Sequence, residues 1–168
     1  HEHGVEVRYE AAIAGGIPIV KALREGLAGN RIEWLAGIIN GTGNYILTEM
    51  RDEGREFADV LAEAQALGYA EADPAFDVEG IDAAHKLVIL ASLAFGIPLQ
   101  FDAVYTEGIT QLTTQDVGYA RELGYIIKHL GIAKQSDEGV ELRVHPTLIP
   151  DNLLLADVDG RVDGATDV

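Results

Sequence analysis

The chain has 168 residues, 48% of them apolar and 24% charged, a balance that suits one folded unit with a sizeable core. Twelve Lys and Arg stand against 28 Asp and Glu, a formal net charge of −16, and a field of that sign repels nucleic acid and anionic membranes. The absence of Cys excludes disulfides, thiolate zinc sites and a cysteine nucleophile.

Neither a run of about 18 apolar residues nor a basic-then-apolar leader occurs, which predicts a cytoplasmic protein without a membrane span. Residues 5–13, VEVRYEAAI, alternate as a strand does, and GGIPIVKALREGL then predicts a glycine turn and a helix with Pro18 in its first turn. RIEWLAGII, residues 31–39, is apolar and β-branched enough for a largely buried strand. NGTGN breaks it before a helical pattern resumes at YILTEMRDEG. Phe57, Val60, Leu61, Ala64 and Leu67 recur at helical spacing and stop at Gly68. Another helix is predicted from about Asp77 to Phe95, with Ile81, Ala84, Val88, Ala91 and Leu93 as its apolar set and Gly96 and Pro98 as stops. A shorter one around QDVGYAREL, capped by Thr113 or Thr114 and ended by Gly124, precedes three strand-like segments, YIIKHLGIA, VELRVHPTLI and LLADVDGRV. Strands near both ends with helices between them predict an α+β domain whose sheet is mostly antiparallel or mixed and covered by helices.

The chemistry concentrates in GYAEADPAFDVEGIDAAHK, residues 68–86. Glu71, Asp73, Asp77, Glu79 and Asp82 fall within twelve positions, and a single cation, Lys86, closes the run. On the predicted helix Asp82 and Lys86 are one turn apart, which on a wet surface is worth a few tenths of a kcal/mol. This helix is apolar on most sides, so Lys86 faces the core or a cleft, and a partly desolvated lysine is a candidate proton donor. Glu71, Asp73 and Asp77 precede the helix in a proline-containing loop, where carboxylates can converge on the cationic group of a ligand. Charge favourable to the helix dipole accounts for Glu79. A calcium loop started at Asp73 fails, because Ala75, Val78 and Ala84 stand where a ligand, a glycine and a bidentate Glu are needed. The five His form no HExxH, and neither serine sits in a GxSxG turn. INGTGNY lacks GxGxxG spacing, yet its backbone N–H groups could hold a carboxylate or phosphate.

Taken together, YEAAIAGGIPIV at 9–20, GIINGTGNYIL at 37–47, AQALGYAEADPAFDVEGIDAAHKLVILA at 64–91 and VHPTLIP at 144–150 resemble the catalytic region of homoserine dehydrogenase. The likeness covers nearly all of residues 5–158. It departs at Gly43, where that family commonly has Thr or Cys, and at the terminal RVDGATDV. The resemblance implies NAD(P)-dependent interconversion of L-aspartate 4-semialdehyde and L-homoserine in threonine and methionine biosynthesis. It assigns proton donation to Lys86, the substrate ammonium to Glu71, and the positioning of substrate, lysine or water to Asp77 and Asp82. Tyr69, Gly41 and Thr42 match positions lining the amino acid pocket, while Glu10 and the backbone carbonyls of Ile13, Gly15 and Ile17 match a monovalent cation site for Na+ or K+.

Members of that family carry an N-terminal Rossmann domain with a glycine fingerprint, and none is present in residues 1–168. The chain is therefore expected to be the substrate-binding and dimerisation domain. NAD(P) would be bound mainly by the missing nucleotide domain, the substrate would be a small amino acid, and the assembly a homodimer. The competing expectation is a non-catalytic acidic α+β regulatory or scaffold module of the same fold, against which the intact Glu71, Asp77, Asp82 and Lys86 weigh.

Overall fold

The computed structural model describes residues 4–160 and, for the backbone alone, the segment 164–166. It is an α+β fold built on a five-stranded mixed sheet. The strands are β1 (Trp34–Ile38), β2 (Tyr105–Thr106), β3 (Tyr125–Ser136), β4 (Gly139–Pro150) and β5 (Gly164–Thr166), in the order β2-β4-β3-β1-β5. β2 runs parallel to β4, and every other pairing is antiparallel. The β3–β4 hairpin pairs from Tyr125↔Pro150 to Ser136↔Gly139, leaving a two-residue turn at its tip. β1 then adds to the far side of β3, with Leu35 opposite Ala133 and Gly37 opposite Gly131.

The helices are α1 (Ala11–Ala14), α2 (Ile19–Lys21, continued by a π turn over Ala22–Gly26), α3 (Gly41–Glu53), α4 (Phe57–Ala66), α5 (Ala75–Val78), α6 (Ile81–Phe95) and α7 (Thr114–Glu122). α6 lies across one face of the sheet. Its Leu87, Val88 and Ala91 join Ala133, Leu142 and Val144 from the strands and Ile13, Val20 and Leu23 from the N-terminal helices in the largest apolar cluster. A second cluster gathers α3, α4 and α7 through Ile46, Met50, Val60 and Val117. The opposite sheet face carries Ile38, Leu130, Ile149, Leu155 and Ala156, and beside them an apolar groove of about 410 Å³ lined by Trp34, Ile132 and Leu153 among others. Leu148, Leu153 and Leu154 are left exposed there. Among the described residues no helix is long and apolar enough to cross a membrane.

Most predicted elements form where the periodicity puts them, including the cap at Thr113, whose side chain accepts from the Asp116 N–H. Four expectations are corrected. The strand at 5–13 does not form, because its alternation has nothing to bury against: Val5 and Val7 remain 69% and 76% exposed, and Ala11–Ala14 winds into α1 instead. NGTGN is not a break ahead of a helix; the helix starts at Gly41, because Asn40 caps it by accepting from the Gly43 N–H at 2.7 Å. The predicted Asp77–Phe95 helix is two helices, since Gly80 at φ +81° turns the backbone left-handed between α5 and α6. LLADVDGRV is not a strand: Leu154–Asp157 is a 3₁₀ turn that buries the consecutive Leu155 and Ala156, which alternation cannot do, and its last two residues lie outside those described. The two-residue β2 is unforeseen, being too short to show any period.

Candidate active site

Three chain segments meet at the C-terminal end of β1. α3 starts there with Asn40 as its cap, α5 brings Asp77, and the first two turns of α6 bring Asp82 and Lys86. Lys86 Nζ lies 2.8 Å from Asp82 Oδ2 and donates to the carbonyl of Ile39 at 2.9 Å. An ammonium has three N–H bonds. Two are thus used, and among the described residues nothing takes the third. Both side chains are one-fifth exposed, which leaves them reachable from solvent while α6 stays embedded behind them. The Asn40 amide donates to Asp77 Oδ1 at 2.7 Å and to Asp82 Oδ2 at 3.0 Å. The predicted pair is therefore real and belongs to a larger constellation.

The remaining candidates are distributed around it. Gly41 and Thr42 form the first turn of α3, and the Thr42 hydroxyl donates to the Tyr69 carbonyl at 3.0 Å, fastening the 69–71 loop to that turn. The Tyr69 ring packs edge-on to Tyr45 at 5.3 Å. Glu71 is exposed, and its carboxylate makes no hydrogen bond or ion pair among the described residues, so it is free to meet a ligand cation. Its backbone carbonyl is held by Gln65. Glu10, Ile13, Gly15 and Ile17 form a separate group around α1. The Glu10 carboxylate caps the start of α2, accepting from the N–H groups of Val20 and Lys21 at 2.8 and 2.9 Å, and the Ile17 carbonyl accepts from Ile19. The oxygens of Glu10 and Ile17 expected at a cation site thus already accept backbone hydrogen bonds. His85 is exposed and packs between Phe76 and Phe101.

Two buried polar residues beside the site escape a reading by motif. His129 on β3 donates from Nε2 to the Glu107 carbonyl at 2.8 Å, and its Nδ1 has no partner. Burial pushes its pKa below the ordinary histidine value, His145 adds to this, and Glu107 and Glu79 oppose it. The ring is thus neutral in the fold but free to protonate when unfolded. A lowered folded pKa means that its stability contribution is complete above the unfolded value of about 6.5 and is lost as pH falls below it. We expect stability by urea unfolding to drop by up to about 1.4 kcal/mol between pH 7.5 and 5.5, with a flatter profile in His129→Leu. Equal slopes would show that His129 does not carry the effect.

Lys128, also on β3, is 1% exposed and donates to Asn44 Oδ1, the Val158 carbonyl and Asp159 Oδ1. Burial lowers its pKa, outweighing the bond to Asp159. Asp159 is itself held below the usual carboxylate range, first by Arg51 and also by Lys128. Asn44 donates to the carbonyls of Val158 and Gly160, and Thr48 accepts from the Gly160 N–H. The turn at 158–160 is thereby fastened to α3 and β3.

Comparison with known proteins bears on the family and the fold. The family model described as homoserine dehydrogenase matches residues 18–166. The chain is 73% identical over 159 residues to a homoserine dehydrogenase of Pseudomonas aeruginosa and 64% identical over 159 residues to one of Neisseria gonorrhoeae, in each case covering 95% of this chain and 37% of the relative. The crystal structure of a homoserine dehydrogenase from Thiobacillus denitrificans superimposes with a TM-score of 0.94 at 69% identity, over 98% of this chain and 38% of that one. A hyperthermophilic archaeal homoserine dehydrogenase in complex with NADPH gives a TM-score of 0.77 at 28% identity, over 93% of this chain and 44% of that one. The chain therefore spans little more than a third of the curated relatives named above. With a family model matched over most of its length and a site built from the residues that carried the resemblance, this chain belongs to the homoserine dehydrogenase family.

Proposed function

We propose that the chain is the substrate-binding and dimerisation domain of an NAD(P)-dependent oxidoreductase that interconverts L-aspartate 4-semialdehyde and L-homoserine in the cytoplasmic synthesis of threonine and methionine. The observation that carries this reading is the spare N–H of Lys86 at a solvent-reachable point, on an ammonium already oriented by Asp82 and the Ile39 carbonyl. Bound NAD(P)H would supply a hydride to the aldehyde carbon. The aldehyde oxygen then develops negative charge and must gain a proton, which a cation held within hydrogen-bond reach can give. In the reverse direction the same nitrogen accepts the hydroxyl proton.

The other residues orient the amino acid. The free Glu71 carboxylate pairs with the substrate ammonium, and Gly41, Thr42 and Tyr69 form the adjoining wall. Asp82 holds Lys86 in place, and Asp77 is tied to that carboxylate through Asn40. No glycine fingerprint lies within residues 1–168, so the dinucleotide would be held mainly by a domain outside them. Na+ or K+ bound by Glu10 and the carbonyls of Ile13, Gly15 and Ile17 would fix the α1–α2 turn. A second copy of the chain would cover the apolar sheet face at Trp34, Leu148, Leu153 and Leu154.

Two preparations test these statements. The isolated chain is expected to show no NAD(P)H-dependent turnover of aspartate 4-semialdehyde and a dimeric mass in light scattering at tens of micromolar. A full-length enzyme carrying this segment should turn the semialdehyde over. A full-length enzyme inert toward both semialdehyde and homoserine would overturn the reading.

A further inference from the structure

Asn40 bridges two carboxylates, Asp77 and Asp82, the second of which pairs with Lys86. Its side chain is 7% exposed, and every polar atom of the amide is engaged. Oδ1 accepts from the Gly43 N–H at 2.7 Å, while Nδ2 donates to Asp77 at 2.7 Å and Asp82 at 3.0 Å. The partners fix which end of the amide is which, because a backbone N–H needs an acceptor and carboxylates need donors. The cap at the start of α3 and the bridge between Asp77 and Asp82 are thus one rigid unit.

Two like charges drawn to one point repel, and a neutral donor between them offsets that repulsion without adding a charge of its own. A carboxylate in place of the amide would add a third negative group, and a cation there would compete with Lys86. Asp82 Oδ2 is shared between Asn40 and Lys86, so the amide also sets where the lysine's carboxylate partner sits. We propose that Asn40 is a positioning residue for the reaction: its amide holds the Asp77 and Asp82 carboxylates together and, through Asp82, aims Lys86 at the reacting oxygen. This rests on the functional reading above.

The test compares Asn40→Ser and Asn40→Asp with wild type and with Lys86→Met in a full-length enzyme carrying this segment. Both substitutions keep a good helix cap but lose the bridging donor, and the second is nearly isosteric. We expect folded proteins by circular dichroism, with kcat for homoserine oxidation reduced about 10²-fold in Asn40→Ser and further in Asn40→Asp. KM for homoserine should change much less than kcat in both, a split that a merely structural cap would not produce. Folded variants with wild-type kcat would overturn the inference and leave the functional reading intact, provided Lys86→Met is impaired. Loss of folding in both variants would assign Asn40 to the fold alone and overturn it equally. An inactive wild type would overturn both proposals.

Discussion

Replacing Lys86 with Met in a full-length enzyme carrying this segment is expected to lower kcat for homoserine oxidation by about 10² to 10⁴, the usual contribution of a positioned acid or base. The fold should survive. Met is long and apolar and can occupy much of the space of the lysine stem on a mostly buried helix, and Asp82 keeps its bond from Asn40. If the lysine were only half of an ion pair at the protein surface, its removal would cost under about 1 kcal/mol and leave turnover nearly intact. The two outcomes differ by an order of magnitude or more in rate, so steady-state kinetics decide between them. Glu71→Gln is the contrasting variant: it weakens a contact made alike in ground and transition states, and should raise KM more than it lowers kcat. A Lys86→Met enzyme that kept over about a tenth of wild-type kcat would remove the lysine from the chemistry.

The second large effect is structural. Gly80 joins α5 to α6 at φ +81°, and a Cβ there would come within 2.9 Å of His129 Cε1 and 3.0 Å of Val144 Cγ1. Both neighbours are buried, at 5% and 0% exposure, and neither can swing into solvent. Gly80→Ala therefore combines about 1 kcal/mol for a left-handed Ala with about 1 to 3 kcal/mol for overpacking. We expect a loss of roughly 2 to 4 kcal/mol in urea unfolding at fixed protein concentration, or about 5–15 °C in Tm for a chain of this size. Gly54→Ala is the control: its φ is +62° and its Cβ would meet nothing within 4 Å, so only the backbone cost of about 1 kcal/mol applies. Equal losses in the two variants would show that the contact with His129 and Val144 is not the cause.

What the sequence made legible follows the length of the pattern. α4, α7 and the long hairpin strands declare themselves because their apolar residues repeat over several turns or alternations against a single buried face. The break at Gly80 was hidden because residues on both sides of it fit one helical period; the glycine could be read as tolerated, whereas packing against His129 requires it. The Asp82–Lys86 pair was visible as one helical turn. Asn40 was not, because its two partners lie 37 and 42 residues away and the bridge exists only once α3, α5 and α6 have met. Lys128 left a signal that went unused. It shares a strand face with Ile126, Leu130 and Ile132, and a lysine at the period of an apolar face is either a fault in the pattern or a buried charge with partners. Its partners Asn44, Val158 and Asp159 show it to be the latter.

The fastening of the 158–160 turn also has a kinetic meaning. Its bonds to Asn44, Thr48 and Arg51 close loops of 108 to 116 residues, whereas the β3–β4 hairpin closes a loop of two. The entropy of closure rises with the chain enclosed, so the hairpin can form early and template β1, while this turn can lock onto α3 only when almost everything between them is in place. Contacts made last in folding tend to be the first released in unfolding, and they strengthen kinetic resistance without slowing the approach to the native state. Lys128 and its neighbours thus act as the bolt slid home at the end of assembly.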